Sequence, residues 1–238
     1  HLTLVGKGMT YDSGGYAIKP GNSMKTMHSD MAGAAAVIGG IYALATVGIK
    51  QNVAGVIAAA ENLIDGKAFK NGDIISSMKG TTIEVNNTDA EGRLTLADAI
   101  YYAATELNSK AIVDLATLTG AAITAVGPRC TALMSNDGEL AEQILTASRN
   151  AAEPAQSLQA FPNHYKQIKG KFGDLDNAPK GGAGAITAGV FLEHFTEEIP
   201  WAHLDIAGPS YSESAYDYLP QGASGTGVKT IYRWIAAL

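Results

Sequence analysis

Short apolar runs with β character alternate with stretches of helical periodicity along most of this chain, and few architectures accommodate that order. Strands joined through helices pair in parallel, because a parallel neighbour cannot be reached through a tight hairpin. The pattern therefore predicts an α/β fold, with a mixed, largely parallel central sheet flanked by helices. Strands are expected at Leu2 to Val5, Val53 to Ala59, Thr82 to Val85, Ala111 to Leu115, Ala132 to Met134 and Ala202 to Ile206. Helices are expected over Asp30 to Val47, Gly92 to Leu107, Glu139 to Ala151, Ala185 to Phe195 and Val228 to Ala237. Glycine-rich connections follow at Gly6-Lys7-Gly8, Gly14-Gly15, Gly181-Gly182 and Gly225-Thr226-Gly227, and Phe161 to Ala183 reads as an irregular excursion.

At 238 residues the chain can bury a full core, and no linker-like segment divides it. Met31 to Ile49 carries no charged side chain, so length alone would let it cross a membrane. Ala and Gly dominate that run, which favours a buried helix packed closely on a sheet. The single Cys130 excludes an internal disulfide framework and fits a cytoplasmic location. With 17 basic against 23 acidic residues and no basic run, nucleic acid is not an expected partner. The chain starts at His1 and enters its first strand at once, without an initiator Met, as a fragment lacking its upstream part would.

The segment Asn87-Thr88-Asp89-Ala90-Glu91-Gly92-Arg93-Leu94 sets two carboxylates beside an arginine at the mouth of a predicted helix. Asp12, in a charged glycine-rich loop that also holds Lys7 and Lys19, and Asp30, before the long apolar helix, add two more. Taken alone, Lys7 and Asp12 read as a solvated turn and Asp30 as a helix N-cap. Brought together, four carboxylates would repel one another strongly, and two divalent cations would neutralise them. The five histidines show no paired spacing, so an oxygen-rich site accepting Zn, Mn, Mg or Co is expected. The Lys7 loop lacks the spacing of a phosphate-binding P-loop.

With those motifs in view, Val5-Gly6-Lys7-Gly8, Asp12-Ser13-Gly14-Gly15, Asp30-Met31 and the Asn87 to Leu94 segment resemble the catalytic domain of the leucyl aminopeptidase (cytosol aminopeptidase) family. The resemblance continues through Ala116 to Ala121, Gly184 to Gly189 and His203 to Gly208, covering residues 1–238 as one catalytic domain without the family's amino-terminal domain. It implies a zinc-exopeptidase-like fold and two divalent metal ions, with Asp12 and Glu91 bridging them, Lys7 and Asp30 completing one site and Asp89 the other. A lysine ligand must be neutral, so the cations would have to lower the Lys7 pKa. Lys19 and Arg93 take the family's catalytic positions. A metal-activated water would attack the carbonyl while Lys19 stabilises the tetrahedral product of attack. Bicarbonate, seated by Lys19, Gly92, Arg93 and Leu118, would serve as the base.

Met27, Asn87, Thr117, Gly120 and Ala207 match substrate-binding positions, and the small or apolar ones favour an aliphatic residue such as leucine. Ser210, where the family often has methionine, departs from that pattern. The implied partners are a peptide with a free amino terminus and, in the full-length protein, copies of itself in a homohexamer, with no membrane. Two-metal phosphoester hydrolysis would use a similar cluster but predicts further arginines beside Arg93, and a non-catalytic binding role would not require the complete ligand set.

Overall fold

The computed structural model describes residues 1–238. Along the chain run β1 (Leu2–Asp12), α1 (Gly21–Met24), a 3-10 turn (Met27–Ser29), α2 (Ala32–Thr46), β2 (Val53–Asn62), β3 (Ile74–Ser76) and β4 (Thr82–Glu84). There follow α3 (Gly92–Thr105), β5 (Ala111–Ala116), α4 (Gly120–Val126), β6 (Thr131–Ser135), α5 (Gly138–Ala151), β7 (Ala155–Ser157) and α6 (Pro162–Gln167). The last are β8 (Leu175–Asp176), α7 (Gly184–Glu193), β9 (Trp201–Asp205), β10 (Tyr211–Ser212), β11 (Gly222–Ala223) and α8 (Val228–Ile235).

The central sheet has the order β2-β1-β5-β9-β6-β7, and only the β9–β6 pairing is antiparallel. Successive side chains leave a strand on opposite faces, so each strand feeds two cores. Val5, Ile112 and Trp201 join Leu96, Ile100 and Phe191 beneath α3 and α7. Leu4, Val113 and Leu204 join Val37, Ile144 and Trp234 beneath α2, α5 and α8. Trp201, Phe191 and Phe195 are almost wholly excluded from water, a burial worth roughly 1.5–3 kcal/mol for a side chain such as Phe.

The long apolar segment is α2, preceded by α1 and the 3-10 turn rather than continuous with them. By length and hydropathy the whole stretch from Gly21 to Thr46 would suffice to span a bilayer. Instead α2 buries Gly33, Ala34, Ala36, Val37, Gly40 and Leu44, its small residues allowing the helix to approach the sheet. A β-carbon on Gly33 would overlap the Leu115 carbonyl oxygen, and one on Gly6 would lie 2.6 Å from the Ala34 Cα.

That close approach corrects the expectation of a loop at Gly6-Lys7-Gly8. β1 continues through those residues to Asp12, paired with β2 from Leu2↔Val53 to Asp12↔Asn62 across an irregularity between Met9 and Asp12. Gly6 marks a crossing helix, not a turn. The segment Thr82 to Val85 also lies outside the central sheet: β4 belongs to a separate sheet of order β3-β4-β8. The excursion from Phe161 to Ala183 holds only α6 and β8, and β8 ties it to β4.

Candidate metal centre

β1 outlasts its neighbour β5, whose last residue is Ala116, and the charged groups gather where β5 ends. Lys7 lies within β1 and Asp12 ends it, while Glu91 stands at the N-cap of α3, where the helix dipole favours a carboxylate. Asp30 follows the 3-10 turn, and Met31 is the N-cap residue of α2. Asp30 therefore does not cap that helix; its Oδ1 accepts the Thr117 hydroxyl at 2.6 Å.

Two lysines hold the carboxylates together. Lys7 Nζ lies 2.8 Å from Asp30 Oδ2 and 2.8 Å from Glu91 Oε1, and it donates to the Thr117 carbonyl at 3.0 Å. Lys19 Nζ lies 3.0 Å from Asp12 Oδ2 and 2.5 Å from Asp89 Oδ1. Asp12, Asp89 and Glu91 each offer an oxygen within 4.8 Å of the others, whereas Asp30 meets Glu91 through Lys7. Asp30 Oδ2, Asp89 Oδ1 and Glu91 Oε1 are buried and meet a lysine ammonium, with no other hydrogen-bond donor. Two ammoniums against four carboxylates leave the cluster short of positive charge, and carboxylate oxygens are hard donors. The residues present thus fit divalent cations.

The proton affinities follow from this crowding. Burial works against the Lys7 charge, but Glu91 and Asp30 outweigh it and hold its pKa above the ordinary lysine range. Burial pushes Asp30 up to about 7, opposed by Lys7 and reinforced by Glu91. Burial also raises Asp89 despite Lys19. Lys19 is itself raised, since its bonds to Asp89 and Asp12 exceed the cost of burial. Arg93, nearly dry, is lowered to about 10 by burial, with Glu91, Asp205 and Asp176 opposing the shift.

Arg93 Nη1 donates to the Asn177 carbonyl at 2.6 Å, and its Nε has no partner. Beside it, Gly92 lets the Lys7 side chain pass: a β-carbon there would lie 2.6 Å from Lys7 Cε and 2.7 Å from its Nζ. Among the expected substrate positions, Thr117 touches the centre directly, through Lys7 and Asp30. Asn87 Oδ1 accepts the Asp89 main-chain N–H at 2.8 Å and so holds the turn. Met27 lies in the 3-10 turn three residues before Asp30, and Gly120 opens α4. Leu118 and Ala207 are linked by one carboxylate, with both main-chain N–H groups donating to Asp205 Oδ1 at 3.1 Å.

Supporting residues escaped the sequence reading. Asn62 Nδ2 donates to Asp12 Oδ1 at 2.8 Å and to the Thr88 carbonyl at 2.9 Å. Thr88 Oγ1 donates to the Gly14 carbonyl at 2.7 Å. Asn177 and Asp205 anchor the loops just described. Asp205 does lie within the quoted His203 to Gly208 motif, yet its residue type alone does not separate a loop anchor from a ligand. His203, likewise quoted, is buried against Asp114 at 2.6 Å.

Residues 1–232 match the family described as the cytosol aminopeptidase family, catalytic domain. A probable cytosol aminopeptidase of Clostridium tetani (strain Massachusetts / E88) is 54% identical over 97% of this chain and 48% of its own length. One from Clostridium perfringens (strain 13 / Type A) is 51% identical over 97% of this chain and 47% of its own length. The solved structure of the bottromycin maturation enzyme BotP in complex with Mn superposes with a TM-score of 0.96 at 39% identity, covering 99% of this chain and 53% of that one. The chain spans about half the length of the curated relatives it matches. By sequence and by fold, it belongs to the cytosol aminopeptidase family and corresponds to its catalytic domain.

Proposed function

We propose that this chain is the catalytic part of a two-metal aminopeptidase, which removes the amino-terminal residue of peptides and prefers aliphatic residues such as leucine. The observation that carries the reading is the convergence of Asp12, Asp30, Asp89 and Glu91 on two lysines, with buried oxygens of Asp30, Asp89 and Glu91 met by ammonium groups. Lys7, Asp12, Asp30, Asp89 and Glu91 are the proposed ligands. The separation of Asp30 from the other three carboxylates supports two adjoining positions, one reached through Lys7. That BotP was solved in complex with Mn supports manganese as an acceptable ion, with zinc, magnesium and cobalt also compatible with oxygen donors.

When bound, the divalent ions would polarise the scissile carbonyl, acidify a water and receive the free α-amino group. The chain's own residues do the rest. Lys7 is an ammonium in the ion pairs seen here, so its service as a ligand requires it to surrender a proton as cations enter. Lys19 keeps 15% of its side chain exposed against 4% for Lys7, which makes it the lysine able to meet a substrate oxygen as negative charge develops. Arg93, with Lys19, Gly92 and Leu118, is the proposed seat for a bicarbonate anion. Its dry guanidinium, with Nε unengaged, suits an anion there. Thr117, Gly120, Met27, Asn87 and Ala207 are the proposed substrate contacts. A homohexamer of the full-length protein and a cytoplasmic location complete the proposal, the location consistent with relatives named probable cytosol aminopeptidases.

The test mixes the protein with leucyl and aspartyl p-nitroanilides and with p-nitrophenyl phosphate, each with and without Mn2+. Mn2+-dependent release from the leucyl substrate is expected. Release from the phosphate ester alone would replace the peptidase by a phosphoesterase.

A further inference from the structure

The chain from Val85 to Glu91 carries Asp89 and Glu91 on a turn with no regular secondary structure, so something must hold its shape. We propose that Asn177 is the positioning residue that sets this turn for metal binding, an inference that rests on Asp89 and Glu91 being ligands. Its side chain is fully buried. Asn177 Oδ1 accepts the main-chain N–H groups of Asn86 at 2.9 Å and Asn87 at 3.2 Å. Its Nδ2 donates to the carbonyls of Asn87 at 2.7 Å and Ala90 at 3.3 Å. An asparagine amide has two N–H donors and an oxygen able to accept twice, so its whole capacity is spent on one turn.

The backbone of the same residue reaches two further points. Its N–H donates to the Glu84 carbonyl at 3.1 Å, and its carbonyl accepts from Arg93 at 2.6 Å. Asn177 therefore grips the segment before Asp89, between Asp89 and Glu91, and beyond Glu91. Its delivery is topological. β8 pairs in parallel with β4, Ile83↔Leu175 and Glu84↔Asp176, which sets the next residue beside the start of the turn. Glu84 also secures the preceding loop, its Oε1 accepting from the Phe172 N–H and from the Gly173 N–H at 2.7 Å.

Neither aspartate nor alanine reproduces the pattern. Aspartate would set a carboxylate oxygen against the Asn87 and Ala90 carbonyls, and alanine would leave two N–H groups and both of those carbonyls without this partner. The irregular excursion thus acts on the centre through Asn177, by its side-chain amide and its backbone.

The test measures Mn2+ affinity by calorimetry and the thermal midpoint of the metal-stripped chain. Asn177→Ala should bind Mn2+ roughly ten- to a hundredfold more weakly, the usual loss when a residue orienting a ligand is removed. Asn136→Ala is the control, since Asn136 joins the Ile199 carbonyl and the Trp201 N–H on other elements. It should lower the midpoint while leaving Mn2+ affinity unchanged. Wild-type affinity in Asn177→Ala, whatever its midpoint, would overturn the inference. Should the alanine variant not fold, Asn177→Asp keeps the shape and both acceptor contacts, and wild-type Mn2+ affinity there overturns it equally. If the wild type itself binds no Mn2+, the metal reading fails with it, whereas equal binding by wild type and variant sinks this inference alone.

Discussion

Gly92 owes its identity to Lys7, whose side chain crosses the place a β-carbon would fill. Gly92→Ala would push the lysine off Glu91 and Asp30, so we expect a loss of roughly 1–3 kcal/mol in stability, the usual cost of overpacking, together with weakened Mn2+ binding. Urea unfolding and metal calorimetry check both, and an undisturbed variant would refute the steric account. The two acidic residues nearby should separate in stoichiometry. Asp89→Ala should empty one of the two proposed positions, and Glu91→Ala should weaken both, as judged by bound metal per chain at saturation. Asp89 and Glu91 stand out in the sequence as two carboxylates in one short motif, whereas Asp12, Asp30 and Lys7 are assigned as ligands only through the family resemblance, since each alone reads as a turn or a helix cap. Asn62, Thr88 and Asn177 were not legible, because amides and hydroxyls are ordinary in loops and acquire a role only when folding brings a distant partner to them.

Helix α2 meets the sheet through glycine on both sides, Gly33 against the Leu115 carbonyl of β5 and Gly6 of β1 against Ala34. The contact fixes where α2 begins, and with it Asp30 two residues before the helix. Gly33→Ala must lift this end of α2 from the sheet. It should cost roughly 1–3 kcal/mol and lengthen the Asp30 to Lys7 pair, lowering Mn2+ affinity more than Gly39→Ala, where the crowding is only with the Val228 side chain. Thermal unfolding and calorimetry on the pair of variants decide it; equal effects on Mn2+ affinity would disconnect α2 from the centre. The longer helices announced their extents by periodicity, α2, α3, α5, α7 and α8 lying within two residues of expectation, whereas the short α1, α4 and α6 did not. Nor did β1, since glycine in a strand and glycine in a turn look alike until the crossing helix is seen. β3, β7 and β8, at two or three residues each, are too short to show a period.

Charge is distributed unevenly through the molecule, and a second buried polar network lies within the central sheet. His203 Nδ1 and Asp114 Oδ1 are 2.6 Å apart, and Asp114 Oδ2 accepts the Trp201 indole N–H at 2.7 Å. Burial alone would lower the His203 pKa, but Asp114 overcomes it and raises the imidazole above its ordinary value; Asp205 adds to the rise and Arg93 opposes it. A folded pKa above the unfolded one binds protons preferentially in the native state. This stabilisation is therefore complete below the unfolded value of about 6.5 and is lost as pH climbs through the raised folded value. His203→Asn retains a donor toward Asp114 without a titrating ring. In metal-free protein the wild type should exceed this variant by roughly 1.5–3 kcal/mol near the acid end, the range for a hydrogen bond to a charged group, with the gap shrinking as pH rises. The elevated Asp30 contributes its own pH dependence to both proteins and cancels in the difference. Urea titrations of the pair across the neutral range in a chelating buffer measure the gap directly. A gap that widened toward alkaline pH would mean that Asp114 holds a neutral imidazole, and the pair would be a packing contact rather than a source of pH-linked stability.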